Sequence, residues 1–126
     1  MGVPVSPFCP HYHHAVEVLG RRWTGAIVRA LLAGATRFSE ITAAVPGLSD
    51  RLCSERLKEL EAEQIVARHV LADTPVRIEY RLTEKGAALA DVVTAIGRWA
   101  TTWAPCEPPP DEDPDRSAVA EPVRRR

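Results

Sequence analysis

The feature that most constrains this chain is a pair of short helical patterns meeting at a Pro-Gly corner and followed at once by a period-two alternation, all within residues 39–82. Ahead of the corner, Phe38, Ile41 and Val45 share one apolar side. Pro46-Gly47 cannot continue that helix, because proline lacks an N–H donor and glycine readily turns the chain. Ser49 stands where it can cap the next helix, DRLCSERLKELEAEQ. There Cys53, Leu57 and Leu60 recur at i, i+4 and i+7 with Leu52 flanking, which predicts an inward stripe. Arg51, Ser54, Glu55 and Lys58 have the same spacing on the opposite face. Beyond it, Val76, Ile78, Tyr80 and Leu82 alternate with Arg77, Glu79 and Arg81, a strand pattern with one buried and one exposed face. Its partner, Val66 to Val70, is separated from it by LADTP, whose Asp73 and Pro75 suit a turn. Helix, corner, helix and hairpin in this order predict a mainly α fold with a small β-hairpin wing, a winged helix-turn-helix.

Helices are expected on both sides of this unit. Ala15, Val18 and Leu19 make one side of a first helix ended by Gly20, and Ile27, Val28, Leu31 and Leu32 make a second, capped by Thr24 and stopped by Gly34. Thr83 begins the last, TEKGAALADVVTAIGRWATTW, with Leu89, Val92, Val93, Ile96, Trp99, Ala100 and Trp103 on one broad side. A helix of ~20 residues extends about 30 Å and outruns so small a domain. Trp99 and Trp103 are therefore expected to anchor a homodimer, with the first helix as packing partner; the competing reading folds them back on their own core. The resulting division is an N-terminal arm at 1–12, the winged domain with its dimerisation helices at 13–103, and a tail at 104–126 expected to be disordered, since it holds six of the 11 prolines and almost no large apolar residue.

Charge argues little for nucleic acid: the formal net value of the 126 residues is -1, although the tail's six acids and four arginines leave the body at +1. No apolar run is long enough to span a membrane and no signal-peptide pattern precedes the domain, so a cytoplasmic protein is expected. Cys9, Cys53 and Cys106 form no CxxC pair, which indicates neither a disulfide framework nor a zinc ribbon. Cys53 lies on an inner face and reads as core. A metal site from Cys9, His11 and His13 would have only three close ligands, so neither metal nor cofactor is expected.

The face bearing Arg51, Ser54, Glu55 and Lys58 suits a helix held by its leucines while donors near its N-terminal half reach base edges. The bland alternative is a solvated amphipathic face. Glu59, Glu61 and Glu63 should point out of the groove, where they would otherwise repel phosphate. Arg77 is the wing contact expected from the strand pattern, with Arg68 behind it. A winged domain used for protein contacts competes with this reading. An enzyme does not, for no base, orienter, oxyanion donors or cofactor loop can be assembled.

The segments CPHYHHAVEVLGRRWTGAIVRALLAG, RFSEITAAVPGLSDRLCSERLKELEAEQIVAR and VRIEYRLTEKGAAL resemble the HxlR-type winged-helix transcriptional regulators, distant relatives of MarR-type proteins, over roughly residues 9–103. The resemblance implies a homodimer held by terminal helices and binding a pseudo-palindromic double-stranded operator, often as a repressor answering to electrophiles, oxidants or small toxic compounds. It places Ser49, Asp50, Arg51, Ser54, Glu55 and Lys58 on the recognition face and gives Arg22 and Arg37 phosphate contacts. It also puts Cys9 where several members carry a redox-sensing thiol, with His11, His13 and His14 nearby to favour the thiolate. Tyr12, Trp23, Ile96, Trp99 and Trp103 are the dimer or effector-pocket candidates, core packing being their plainer explanation.

Overall fold

A computed structural model describes residues 6–104. The tail from residue 105 onward, Cys106 included, lies outside the described residues, so the expected disorder is not addressed by it. The elements are α1 (Pro10–Leu19), α2 (Thr24–Leu32), α3 (Phe38–Ala44), α4 (Asp50–Ala62), β1 (Val66–Leu71), β2 (Arg77–Leu82), α5 (Glu84–Ala87) and α6 (Leu89–Trp103). The first helix starts at Pro10, which suits a first-turn position because its missing N–H has no partner to lose there. Its opening turn thus falls within the stretch assigned to the arm.

The core is built where the periodicities converge. Ile27, Val28 and Leu31 of α2 meet Ile41 of α3, Val45 and Leu48 of the corner, Cys53, Leu57 and Leu60 of α4, and Ile65 and Val66 leading into β1. Truncating a leucine in such a setting costs about 2–5 kcal/mol, a large part of the stability of a domain this size. Around the core, β1 and β2 pair antiparallel from Val66 opposite Leu82 to Leu71 opposite Arg77. The Tyr80 N–H donates to the Thr36 carbonyl at 2.7 Å, which fastens the wing to the loop between α2 and α3.

Three expectations are corrected. Thr24 does not cap α2: the capping position belongs to Trp23, at a left-handed φ of 77°, while Thr24 is helical and buried. The cause is packing of the indole onto the α3–α4 corner, where a Cβ on Gly47 would come within 3.2 Å of the Trp23 ring and where Gly47 itself has φ +88°. The last helix is interrupted at Ala88, so α6 extends about 22 Å rather than about 30. Thr83 Oγ1 accepts from the Gly86 N–H at 3.0 Å and donates to the Gln64 carbonyl at 2.6 Å, and Gly86 packs so closely on the Ile65 carbonyl that no side chain fits. The first turn is thereby pinned to the base of the hairpin, and the helix restarts at Leu89 against α2. Among the described residues no helix is long and apolar enough to cross a membrane.

The third correction concerns the wing. Strand β2 starts at Arg77, Val76 is exposed, and the most buried side chain of the strand is Glu79, at 9% exposure, on the face expected to meet solvent. Alternation of polarity fails here because the acid has its own cationic surroundings. Arg81 donates to Glu79 Oε1 through Nη2 at 2.6 Å and Nε at 3.0 Å, and Arg77 Nε lies 3.9 Å from Oε2. The Arg81 hydrogen bond, with Arg77 and Arg37 adding their charge, holds the Glu79 carboxyl below its ordinary 4.5 against the opposing effect of burial. A carboxyl lowered in the folded state stabilises above its unfolded pKa and loses that contribution as pH falls through the folded one. Glu79→Gln should therefore flatten the fall of Tm below about pH 4.5. Thermal melts of both proteins between about pH 3 and 7 check this, and parallel acid limbs would contradict it.

Candidate nucleic-acid interface

The second helix of the corner, α4, is seated through its buried stripe and started by Ser49, whose side chain accepts from the Leu52 N–H at 3.1 Å. Its outer face then follows from helical spacing. Arg51, Glu55 and Lys58 are exposed on it, Ser54 is half-buried, and Ser49 and Asp50 are exposed at the N-terminal end. This is a contiguous polar surface on a helix locked from beneath. Arg51 Nη1 pairs with Glu55 Oε2 at 2.9 Å.

Sequence reasoning passed over Arg56, which holds α4 against the start of α2. Its Nε donates to the Arg22 carbonyl at 2.9 Å, and Nη1 lies 3.1 Å from Glu59 Oε2, which also meets Arg21 Nη1 at 3.0 Å. Only the basic side chain four residues before Leu60, on the flank of the stripe, hinted at it. Glu59 and Glu63 contact other elements: His14 Nε2 lies 3.0 Å from each Glu63 oxygen. Arg22 is exposed beside α2, its guanidinium 5.1 Å from the Trp23 ring centroid, a stacking distance.

A cleft of about 600 Å3 separates α3 from the wing and brings together Arg37, Asp73, Thr74 and Arg77. Glu40 sets the start of α3 by accepting from the Thr36 and Arg37 N–H groups at 2.9 and 3.0 Å, and those backbone hydrogen bonds lower its carboxyl pKa. The Arg-Phe-x-Glu spacing carried that signal. Arg77 Nη2 pairs with Asp73 Oδ2 at 2.9 Å. Arg68 is not part of this group. It lies opposite Tyr80, which is one position from Glu79 and three from Arg77, and so projects from the other face of the ribbon.

The effector candidates do not converge either. Trp23 is half-buried at the α3–α4 corner, whereas Tyr12, Ile96, Trp99 and Trp103 are exposed. Along α6 the apolar residues split in two: Leu89 and Val93 pack on the core, while Val92, Ile96, Trp99 and Trp103 form a second stripe, the last three exposed by 58, 68 and 76%. The tryptophans thus do not fold back on their own core. None of the five candidates lines the open groove of about 330 Å3 between α1 and the start of α6, where His11, His14, Val18, Lys85 and Leu89 lie.

Cys9 is exposed at the start of α1, its carbonyl accepting from the His13 N–H at 2.9 Å. Two of the three nearby imidazoles are engaged elsewhere, His13 with Glu17 at 3.4 Å and His14 with Glu63. Cys53 is fully buried, and burial, with the Asp50 charge adding, pushes its thiol up to about 11. Among the described residues no three His, Cys, Asp or Glu side chains are grouped to hold a metal.

Comparison with known proteins agrees with this geometry. The family model described as HxlR-like helix-turn-helix matches residues 18–108. The HTH-type transcriptional regulator YvaP of Bacillus subtilis (strain 168) is 56% identical over 98 residues, covering 78% of this chain and 91% of the relative. The regulator YodB of the same organism is 47% identical over 103 residues, 82% of this chain and 90% of its own. The reduced form of YodB superposes with a TM-score of 0.70 over 81% of this chain and 98% of that one at 46% identity, and its quinone-bound form with 0.65 over 76% and 100% at 44%. The redox regulator HypR in its oxidised form gives 0.70 over 77% and 99% at 32% identity. The fold and these relatives agree: the chain belongs to the HxlR-like helix-turn-helix family, whose members are DNA-binding transcriptional regulators rather than enzymes.

Proposed function

We propose that the chain acts in the cytoplasm as a homodimeric repressor of a pseudo-palindromic operator, released by an oxidant or a small electrophilic compound. The observation that carries the dimer is the unpartnered stripe of Val92, Ile96, Trp99 and Trp103, accompanied by exposed Phe8, Tyr12 and Val16 at the other terminus. Apolar surface of that extent on so small a domain favours burial against a second copy. In that dimer the two α4 helices enter successive major grooves about 34 Å apart. Arg51 and Ser54 read base edges, while Lys58, Arg22, Arg37 and Arg77 contact phosphates and fix the register. Arg68, on the opposite face of the wing, makes at most a secondary backbone contact.

The switch is assigned to α1. YodB has a quinone-bound form and HypR an oxidised one, and in this chain the exposed Cys9 begins the helix that His14 ties to Glu63 near the end of α4. Chemistry or a ligand beside α1 thus has a short mechanical route to the reading helix. A shift of a few kcal/mol between two dimer geometries is enough to change operator occupancy.

Selection of bound duplexes from a random pool, followed by titration at several salt concentrations, tests the DNA reading. A defined motif with affinity falling steeply as salt rises is expected. Arg51→Ala should cost about 1–3 kcal/mol on that motif and relax its sequence preference, whereas Arg22→Ala should weaken all duplexes alike. No enriched motif would contradict the assignment. Addition of a thiol oxidant should release the selected duplex from the wild type and not from Cys9→Ser; equal release from both would remove Cys9 as the sensor.

A further inference from the structure

Arginines at both ends of the proposed reading surface carry a carboxylate of their own. Arg51 Nη1 lies 2.9 Å from Glu55 Oε2 on α4, and Arg77 Nη2 lies 2.9 Å from Asp73 Oδ2 in the wing, each acid four residues away. The other oxygen of Glu55 is 3.9 Å from Arg56. These acids differ from those that serve the fold. Glu59 and Glu63 join α4 to other elements and Glu79 is buried among arginines, whereas the Glu55 and Asp73 side chains are 47 and 51% exposed and, among the described residues, pair only with neighbours in their own segment. Exposed pairs of this kind add little to stability.

Their placement matters because the same surface must approach a polyanion. A phosphate that takes either guanidinium competes with the carboxylate for its charge, and the carboxylate remains beside the duplex and repels it. The formal charge of -1 shows how little general attraction is left to overcome that repulsion. A correct base sequence can change the balance at Glu55, since a carboxylate at the groove floor accepts from the cytosine amino group. Asp73, on a wing that meets the backbone, has no such outlet.

We propose that Glu55 and Asp73 are built-in competitors for phosphate, suppressing attachment to arbitrary DNA, and that Glu55 in addition contributes to sequence choice. This rests on the DNA reading above. The test uses the full chain and two probes, the duplex selected from the random pool and a scrambled duplex of the same length and composition. Glu55→Gln and Asp73→Asn should each bind the scrambled duplex about 3–10-fold more tightly near 0.1 M salt, with the salt slope steeper by about 0.9. The ratio of selected to scrambled affinity should fall in Glu55→Gln and stay constant in Asp73→Asn. The gain from Glu55→Gln should be larger with Arg51 present than in an Arg51→Ala background, because the acid acts through that guanidinium. Wild-type protein that binds neither duplex overturns the DNA reading and this inference together. Wild-type binding with an unchanged or weaker affinity of a variant for the scrambled duplex overturns the role of that residue alone, and equal gains in both backgrounds overturn the pairing role of Glu55.

Discussion

The seating of α4 through Cys53, Leu57 and Leu60 is the constraint on which the rest depends. Three side chains at i, i+4 and i+7 enter the core fully, so the rotation of the helix about its axis is set by packing and not by its polar face. Arg51, Glu55 and Lys58 are outward because those three are inward. Arg56 and Glu59 on the flank then tie the helix to the start of α2, and Ser49 defines where it begins. A duplex would therefore meet a surface already organised, with little conformational entropy left to lose on binding.

Electrostatics in this domain is local. Nearly equal numbers of acids and bases leave no broad basic field, yet the arrangement is not random. Acids held by specific partners organise structure: Glu40 collects backbone donors at the start of α3, Glu59 gathers Arg21 and Arg56, and Glu79 holds Arg81 with Arg77 nearby. The backbone bond from Tyr80 to Thr36 fastens the wing just ahead of α3, so Arg37 and Arg77 line one cleft between them. Along α6 the apolar residues divide between its own domain and the proposed second copy. In that dimer the distance between reading helices is a property of the α6 and α1 contacts, which is what makes chemistry at α1 relevant to DNA.

Much of this was legible from periodicity. The α4 stripe, the Pro46-Gly47 corner and the Ser49 cap depend on spacing and local stereochemistry, and they appear where those dictate. What failed depended on long-range contacts. Trp23 adopts a left-handed conformation because its ring meets Gly47, twenty-four positions away, and no local pattern around Thr24 signals that. Glu79 sits in a polar alternation that reads as solvent-facing; Arg77 and Arg81 flank it two positions away on the same strand, and the fold adds the charge of Arg37. The interruption at Ala88 follows from the packing of Gly86 on the Ile65 carbonyl. Arg68 was placed behind Arg77 on the wing, and only strand register shows that the two project from opposite faces. The dimer or effector-pocket candidates were chosen as apolar and aromatic residues of the terminal helices; Ile96, Trp99 and Trp103 share one exposed stripe of α6, while Trp23 lies apart at the α3–α4 corner.

Hydroxyl-radical footprinting of the full chain on its selected duplex is the most direct test of α4 as the reading element within a two-fold assembly. Two equivalent protected regions with centres about one helical turn, 10–10.5 bp, apart are predicted, both weakened when Arg51 is replaced by alanine. A single protected region, or two that survive the loss of Arg51 unchanged, would contradict the account.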